Sequence, residues 1–269
     1  MRLPKTRGVL APTRQPGAPP LDTPIALFLD FDGTLVEIAP RPDLVRVEPG
    51  LVPMLQALHA RLDGALAIVT GRPVSVIDDF LAPAAFDVAG LHGVERRVDG
   101  VLTGGSPDDH PELRARMPRL RALVADLDAV LIEDKGASVA VHWRLANPAD
   151  AERAEAAVTA IATELSGRYR LQLGKAVGEI VPASATKAHA IRAFLEHAPY
   201  AGRRAVFLGD DRTDEIAFAS VAAYGGLGIR IGPGETAAAR RLADPNAVHA
   251  LLGSWAAGGI IDPDTLPAA

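Results

Sequence analysis

The sequence predicts an α/β fold built around a parallel sheet, with a small α+β unit inserted into it. At both ends of the chain, short apolar runs alternate with segments of helical periodicity, as in sheets whose parallel strands are joined by helices. Between residues 104 and 183 this alternation gives way to two strand pairs, each preceded by a helix. We therefore expect a flexible leader over 1–24, a core formed by 25–103 and 184–269, and an inserted unit over 104–183.

For the first part of the core, the sequence predicts the order strand, helix, strand, helix, strand. Residues 25–29 form a continuous apolar run, which is typical of a strand buried on both faces of a parallel sheet. A helix is predicted over 51–62, where leucines recur at helical spacing, and a second strand over 65–69. A helix over 73–81 begins at a proline, and a third strand follows over 86–89.

The elements of the inserted unit and of the second part of the core are predicted in the same way. In the inserted unit we expect helices over 111–129 and 148–166, strands over 130–132 and 138–143 around Lys135-Gly136, and a hairpin of 169–173 and 176–181 around Gly174-Lys175. The core then resumes with helices over 186–197, 214–222 and 246–256 and strands over 204–208 and 228–231.

Composition excludes several classes of protein. The chain is 48% hydrophobic, carries a formal net charge of −5 and has no cysteine. A broad basic face for nucleic acid or an anionic membrane is therefore not expected, and disulfides, cysteine-ligated metals and thiol nucleophiles are excluded. No apolar run is long enough to span a bilayer, and no apolar segment follows the basic N-terminal residues as in a secretory signal. We expect a cytoplasmic protein.

Polar residues follow three of the predicted buried strands. Asp30 and Asp32 come after the first strand, Thr70 after the second, and Asp210 after the strand over 204–208. In open α/β sheets, ligands bind at the carboxyl ends of the strands, so these side chains are expected to share one crevice.

These residue types suit phosphoryl transfer. One aspartate can attack phosphorus to form an aspartyl-phosphate, and a second can protonate the leaving oxygen and later deprotonate water. Two carboxylates would repel a phosphate dianion, so a cation is required. Asp210, Asp211 and Asp214 offer the hard oxygen ligands that Mg²⁺ prefers. Lys187 could add a fixed positive charge and Thr70 a hydroxyl donor to the transferring group.

At these residues the chain resembles the haloacid dehalogenase-like phosphatases. Asp30-Phe31-Asp32-Gly33-Thr34 is similar to their first motif, Thr70 to the second, Lys187 to the third, and Gly209-Asp210-Asp211-Arg212-Thr213-Asp214-Glu215 to the fourth. The resemblance implies a Rossmann-like core, Asp30 as nucleophile and Asp32 as acid and base. It also implies Mg²⁺ held by Asp30, the backbone carbonyl of Asp32, and Asp210, with Asp211 and Asp214 in support.

Within that superfamily the chain resembles the trehalose-6-phosphate phosphatases over about 25–256. The similar segments are Leu91-His92-Gly93 with Glu95, the stretch 133–138 with His142 and Arg144, Gly174-Lys175 with Glu179, the fourth motif, 228–232 and 242–245. The third motif departs from the family, which has Asn-Lys-Gly where this chain has Thr186-Lys187-Ala188. The lysine charge is kept, and the close backbone approach that glycine allows becomes uncertain.

The resemblance implies that 104–183 is a cap that closes over a sugar phosphate. The residues it implies for substrate binding are Gly33, Gly71, Arg72, His92, Glu133, Lys135, His142, Arg144, Lys175 and Glu179. From the residues alone, His92 could equally be a core histidine, and His142 and Arg144, on a predicted strand, could equally be packing residues. The resemblance also implies a trehalose-6-phosphate synthase as a functional companion.

Three other functions share this core. A phosphatase for sucrose phosphate or mannosyl-phosphoglycerate would need other cap contacts. A non-catalytic sensor of phospho-sugars would need neither Asp30 nor Asp32, and a phosphomutase would need a phosphoryl-enzyme that resists water. The sequence gives no positive sign of either of these last two.

Overall fold

An eight-stranded sheet and a four-stranded sheet organise the computed structural model, which describes residues 24–269. In chain order the strands are β1 Ile25–Leu29, β2 Leu66–Val69, β3 Asp87–Gly90, β4 Glu95–Val98, β5 Val101–Thr103, β6 Leu131–Asp134, β7 Val139–His142, β8 Tyr169–Gly174, β9 Val177–Pro182, β10 Arg204–Gly209, β11 Leu227–Ile231 and β12 Arg240–Leu242. The α-helices are α1 Leu51–Arg61, α2 Val74–Leu81, α3 Pro111–Leu123, α4 Pro148–Glu164, α5 Lys187–Leu195, α6 Glu215–Ala223 and α7 Pro245–Ala256. Of the predicted leader, residues 1–23 lie outside the described part of the chain.

The larger sheet is parallel over most of its width. Its strands follow the order β12-β11-β10-β1-β2-β3-β4-β5, and every pair from β12 to β3 is parallel. β1 lies between β10 and β2, and its residues 26–29 are fully buried, as expected for a central strand covered on both faces. The predicted α/β fold with a parallel sheet is therefore confirmed. Because β10, β1 and β2 are neighbours, the polar residues that follow them meet at one edge.

The smaller sheet is antiparallel, with the order β6-β7-β9-β8. α3 and α4 pack with it around a hydrophobic cluster of its own, separate from the cluster around the larger sheet. Leu113 and Met117 of α3 meet Ile161 of α4 and Trp143 in this cluster. The smaller sheet thus has its own packed core.

Three strands of the larger sheet do not follow from the sequence pattern: β4, β5 and β12. β4 has three charged residues in four, so it shows no apolar run. It pairs with β3 at the edge of the parallel sheet, and its Arg97 side chain contacts residues on both sides. The Arg97 guanidinium donates to Asp78 at 2.6 Å and to the carbonyl of Phe86 at 2.8 Å.

The helix predicted over 111–129 is wrong in length, because α3 ends at Leu123. Beyond it, Ala129 has a φ of 57°, which a right-handed helix cannot contain. Asp126 accepts from Arg153 of α4 at 2.7 Å, so the following segment is held by α4. The other predicted elements are present, with ends displaced by at most two residues. Among the helices of residues 24–269, none has both the length and the apolar character that a membrane span requires.

Tyr200 joins the aromatic core to the backbone of the larger sheet. Its ring stacks on Phe28 of β1 at 5.6 Å between centroids and contacts Phe194 of α5 at 5.0 Å. The fully buried hydroxyl lies 2.8 Å from Asp87 Oδ2 and 3.1 Å from the carbonyl oxygen of Leu66. Burial and the neighbouring Asp87 carboxylate raise the pKa of the Tyr200 phenol far above its usual value.

We predict that Tyr200→Phe lowers the free energy of unfolding by about 1–3 kcal/mol, because it leaves buried acceptors without their donor while keeping the ring. Urea unfolding of the purified protein measures the change. Tyr224→Phe is the matched control, since the side chain of Tyr224 is 53% exposed. Equal stability of the two variants would contradict the prediction.

Candidate active site

The strand ends of the larger sheet line a cavity of about 260 Å³, and residues of the smaller sheet line the rest of it. Most residues predicted for the site lie on this cavity: Asp30, Asp32, Thr70, Gly71, Arg72, His92, Glu133, Lys135, His142, Arg144, Lys175, Glu179, Lys187, Asp210 and Asp211. Gly33 and Asp214 do not line it. Asp214 contacts the lining residue Lys187, and a Cβ at Gly33 would meet the lining residue Asp210.

Lys187 connects two carboxylates at the floor of the cavity. Its Nζ lies 2.6 Å from Asp30 Oδ1 and 2.7 Å from Asp214 Oδ1, and all three residues are buried. Burial by itself lowers the pKa of a lysine, but the two carboxylates outweigh it and raise the pKa of Lys187 well above its usual value. We call Lys187, Asp30 and Asp214 the Lys187 triad.

Lys187 is positioned by the start of α5. Thr186 takes an extended backbone and its hydroxyl accepts from the backbone N–H of His189 at 3.1 Å, which caps the helix. Ala188 packs against the main hydrophobic cluster. The departure from the family's third motif therefore keeps a helix cap and places the lysine as the first helical residue.

The two carboxylates of the triad, Asp30 and Asp214, form an acidic cluster together with Asp210. Oxygens of Asp30, Asp210 and Asp214 lie within 4.8 Å of one another. Burial raises the pKa of Asp30, and repulsion from Asp214 adds to the rise against the pull of Lys187. Burial and Asp214 also raise the pKa of Asp210, to about 6. The cluster fits a hard divalent cation, since such ions prefer carboxylate oxygens and would relieve this repulsion.

The members of the cluster are not equally available to an ion. Asp214 Oδ1 contacts Lys187, and its Oδ2 accepts from the backbone N–H of Asp211 at 2.9 Å. Asp30 and Asp210 are therefore the carboxylates best placed to bind a cation directly. Gly33 leaves room for this arrangement. It has a φ of 80°, and a Cβ there would lie 2.1 Å from Asp210 Oδ2.

Asp32 is held by Arg72 in a two-pronged ion pair. Arg72 Nε donates to Asp32 Oδ2 and Arg72 Nη2 to Asp32 Oδ1, both at 2.7 Å. The guanidinium also lies over the rings of Phe31 and Phe80, at 5.9 and 5.2 Å from their centroids. Arg72 therefore contacts the expected acid and base directly, besides lining the cavity.

The loop after β2 is tied to the loop after β3. Thr70 donates its backbone N–H to Ala89 and accepts from the backbone N–H of His92, both at 2.9 Å. The Thr70 hydroxyl accepts from the N–H of Arg72 at 3.1 Å. The side chain of Glu95 completes the connection, because it accepts from the N–H of Val74 at 2.7 Å and so caps α2 from a neighbouring strand. These bonds fix where Thr70 and Arg72 lie.

Polar side chains from the smaller sheet reach across to this loop. Lys135 Nζ donates to the carbonyl of Gly71 at 3.2 Å and to Glu179 Oε1 at 3.1 Å. Glu179 Oε1 also accepts from Ser138 at 2.7 Å. Burial raises the pKa of Glu179, but neighbouring groups, the Lys135 ammonium first among them, outweigh it and hold that pKa well below its usual range.

The mouth of the cavity carries the remaining predicted residues. His142 Nε2 lies 2.8 Å from Glu133 Oε2, and this bond together with the nearby Lys135 ammonium outweighs burial and lowers the pKa of Glu133. Lys175 is exposed, and its carbonyl accepts from Arg144 at 3.0 Å. The expectation that Arg144 lies on a strand is wrong, because β7 ends at His142 where the chain turns.

Other lining residues were not predicted from the sequence. Gln172 and Arg41 are two polar ones, and Ser138, which does not line the cavity, donates to the lining residue Glu179. Gln172 lies opposite Glu179 in the β8–β9 pair. The register of the predicted hairpin would therefore have placed Gln172 beside Glu179, and this signal could have identified it. Arg41 follows the first motif in a loop with no comparable signal.

Comparison with known proteins agrees with the site. The family model described as trehalose-phosphatase matches residues 28–246. A probable trehalose-phosphate phosphatase of Sinorhizobium fredii is 45% identical over 239 residues, 88% of each chain. The trehalose-6-phosphate phosphatase of Escherichia coli is 40% identical over 231 residues, 84% of each chain.

A solved structure gives the same result. The crystal structure of a trehalose-6-phosphate phosphatase related protein superposes with a TM-score of 0.75 at 28% identity, covering 87% of this chain and 97% of the other. The matched span includes the acidic cluster, the Lys187 triad and the residues of the smaller sheet that face them. The chain belongs to the trehalose-phosphatase family.

Proposed function

We propose that this protein hydrolyses trehalose 6-phosphate to trehalose and inorganic phosphate. The observation that carries the proposal is the Lys187 triad, which lies beneath a cavity whose other wall bears the charged groups of Glu133, Lys135 and Glu179. The triad suits a phosphoryl group, and charged groups bind sugar hydroxyls well. The names of the relatives support the substrate.

The proposed reaction has two steps. An oxygen of Asp30 attacks phosphorus, the bond from phosphorus to the sugar oxygen breaks, and Asp32 gives that oxygen a proton. Water then attacks the phosphorus of the aspartyl-phosphate while Asp32 takes up a proton, which releases phosphate and restores Asp30. Lys187 and Thr70 balance charge on the phosphoryl oxygens. Arg72 must release Asp32 for the proton transfers, because both Asp32 oxygens accept from it here.

Mg²⁺ is the ion we propose for the acidic cluster. Asp30 and Asp210 would hold it, with the backbone carbonyl of Asp32 as a further ligand and Asp211 and Asp214 in support. Its charge would neutralise the phosphoryl oxygens during transfer.

The organisation of the chain is part of the same proposal. We assign 25–103 and 184–269 to the catalytic core and 104–183 to a cap over it, supported by the two separate hydrophobic clusters. A trehalose-6-phosphate synthase as companion and a cytoplasmic location remain proposals from the sequence.

Removal of the metal should abolish phosphate release from trehalose 6-phosphate, and Mg²⁺ should restore it. The clustered carboxylates of Asp30, Asp210 and Asp214 repel a phosphate dianion unless a cation is bound. A proton competes with the ion at Asp210, so the Mg²⁺ concentration for half-maximal rate should increase as the pH falls through about 6. Full turnover after EDTA treatment would contradict the assignment of a metal ion to the acidic cluster.

Asp30→Asn should reduce turnover to below about one-thousandth of the parent rate while leaving the fold intact, since an amide cannot form the aspartyl-phosphate. Phosphate release and circular dichroism check the two parts. Asp126→Asn is the control, because Asp126 is an exposed aspartate that does not line the cavity. An Asp30→Asn protein at the parent rate would falsify the nucleophile.

Lys175→Ala and Glu179→Ala should each reduce kcat/KM for trehalose 6-phosphate more than kcat/KM for an aryl phosphate. Loss of one charge-assisted hydrogen bond corresponds to about ten- to a hundredfold. An aryl phosphate has no sugar hydroxyls to lose. Glu179→Gln is included because Glu179→Ala also removes the carboxylate nearest to the Lys135 ammonium. Glu155→Ala on the exposed face of α4 is the control. Equal losses on both substrates would contradict a role in sugar recognition.

A further inference from the structure

His92 is held in an unusual backbone conformation beside the cavity. It has a φ of 57°, and the preceding Leu91 has a φ of 49°. Non-glycine residues in this left-handed region are uncommon, and two in succession cost backbone energy that the surroundings must offset. His92 is only 6% exposed and lines the cavity, so its ring position is fixed where the two sheets meet.

Two side chains of the smaller sheet approach the same nitrogen of His92. The amide nitrogen of Gln172 lies 3.1 Å from His92 Nε2, and Glu179 Oε2 lies 3.5 Å from it. Gln172 and Glu179 are opposite each other in the β8–β9 pair, so the hairpin presents both on one face. The shorter distance is the better hydrogen bond, since contacts at 3.5 Å are at the limit for such bonds.

Arg170 determines which way the Gln172 amide faces. Arg170 Nη1 donates to Gln172 Oε1 at 2.9 Å, and Nη2 donates to the carbonyl of Ala185 at 2.6 Å. A guanidinium only donates, so the atom it meets on Gln172 must be the oxygen. The amide N–H groups of Gln172 are thereby turned toward His92.

A donor facing His92 Nε2 makes that nitrogen an acceptor. It then carries no proton and cannot donate to Glu179. Glu179 Oε1 already accepts from Lys135 and Ser138. Within the described residues, the polar contact of Glu179 Oε2 is this same His92 nitrogen. Glu179 Oε2 is therefore left as an open acceptor on the cavity.

We propose that Gln172 is a positioning residue that keeps His92 Nε2 unprotonated, so that Glu179 Oε2 stays available to a sugar hydroxyl. The proposal rests on the proposed function, in which Glu179 contacts the sugar. Without the Gln172 amide, His92 Nε2 would take the proton and donate to Glu179 Oε2, in competition with the substrate.

Gln172→Met removes the amide and keeps the length of the side chain. The ratio of kcat/KM for trehalose 6-phosphate to kcat/KM for an aryl phosphate should fall about three- to tenfold, the range of one neutral hydrogen bond. The change should appear mainly in KM. Gln56→Met is the matched control, because Gln56 is exposed on α1 and outside the cavity. A ratio like that of the control would overturn the proposal.

The imidazole tautomer gives a second readout that does not depend on the substrate. Long-range ¹H–¹⁵N spectra of the histidine-labelled protein should show His92 protonated at Nδ1 in the parent. In Gln172→Met, and in Gln172→Glu where a carboxylate faces the ring, the proton should move to Nε2. An unchanged tautomer would overturn the proposal even if the kinetics changed. If the parent does not hydrolyse trehalose 6-phosphate, the proposed function fails, and the tautomer still decides the role of Gln172.

Discussion

A buried ammonium shared between two buried carboxylates is the interaction on which the rest of the site depends. Charges of this kind are costly to bury alone, and breaking a buried pair by removing one partner costs about 3–5 kcal/mol. Lys187 avoids that cost because it contacts Asp30 and Asp214 together. Asp30 follows β1, Lys187 starts α5 and Asp214 precedes α6, so one ammonium connects three elements of the core. The chemistry of the site and the packing around it therefore use the same contacts.

The second constraint is the connection between the two sheets. Lys135 contacts the carbonyl of Gly71, next to Thr70 and Arg72, while also pairing with Glu179. The loop that carries Thr70 and Arg72 is thus connected through Lys135 to Glu179 of the smaller sheet. A polar connection of this kind can be exchanged for contacts to substrate and water more easily than an apolar one, because its groups are hydrogen-bonded either way.

Much of the fold could be predicted from the sequence, because buried parallel strands leave apolar runs that end at polar residues. The runs before Asp30, Thr70 and Asp210 are of this kind, and the three side chains that follow them line one cavity, as expected. β4 could not be predicted in this way, since it has no apolar run and its Arg97 contacts Asp78 and the carbonyl of Phe86 only in the folded chain. The Arg72–Asp32 ion pair and the orientation of the Gln172 amide could not be predicted from the sequence either. They depend on side chains that tertiary structure brings together, and no local sequence pattern predicts such contacts.

The start of α5 has an electrostatic consequence beyond the lysine itself. The aligned peptide dipoles of a helix place about half a positive charge at its N-terminus. Lys187 is the first residue of α5, so its ammonium and the helix end contribute positive potential beside the same two carboxylates. The dipole contribution does not titrate and does not depend on a side chain. Attraction of an anion to this floor therefore has a component that persists at any pH at which the helix is folded.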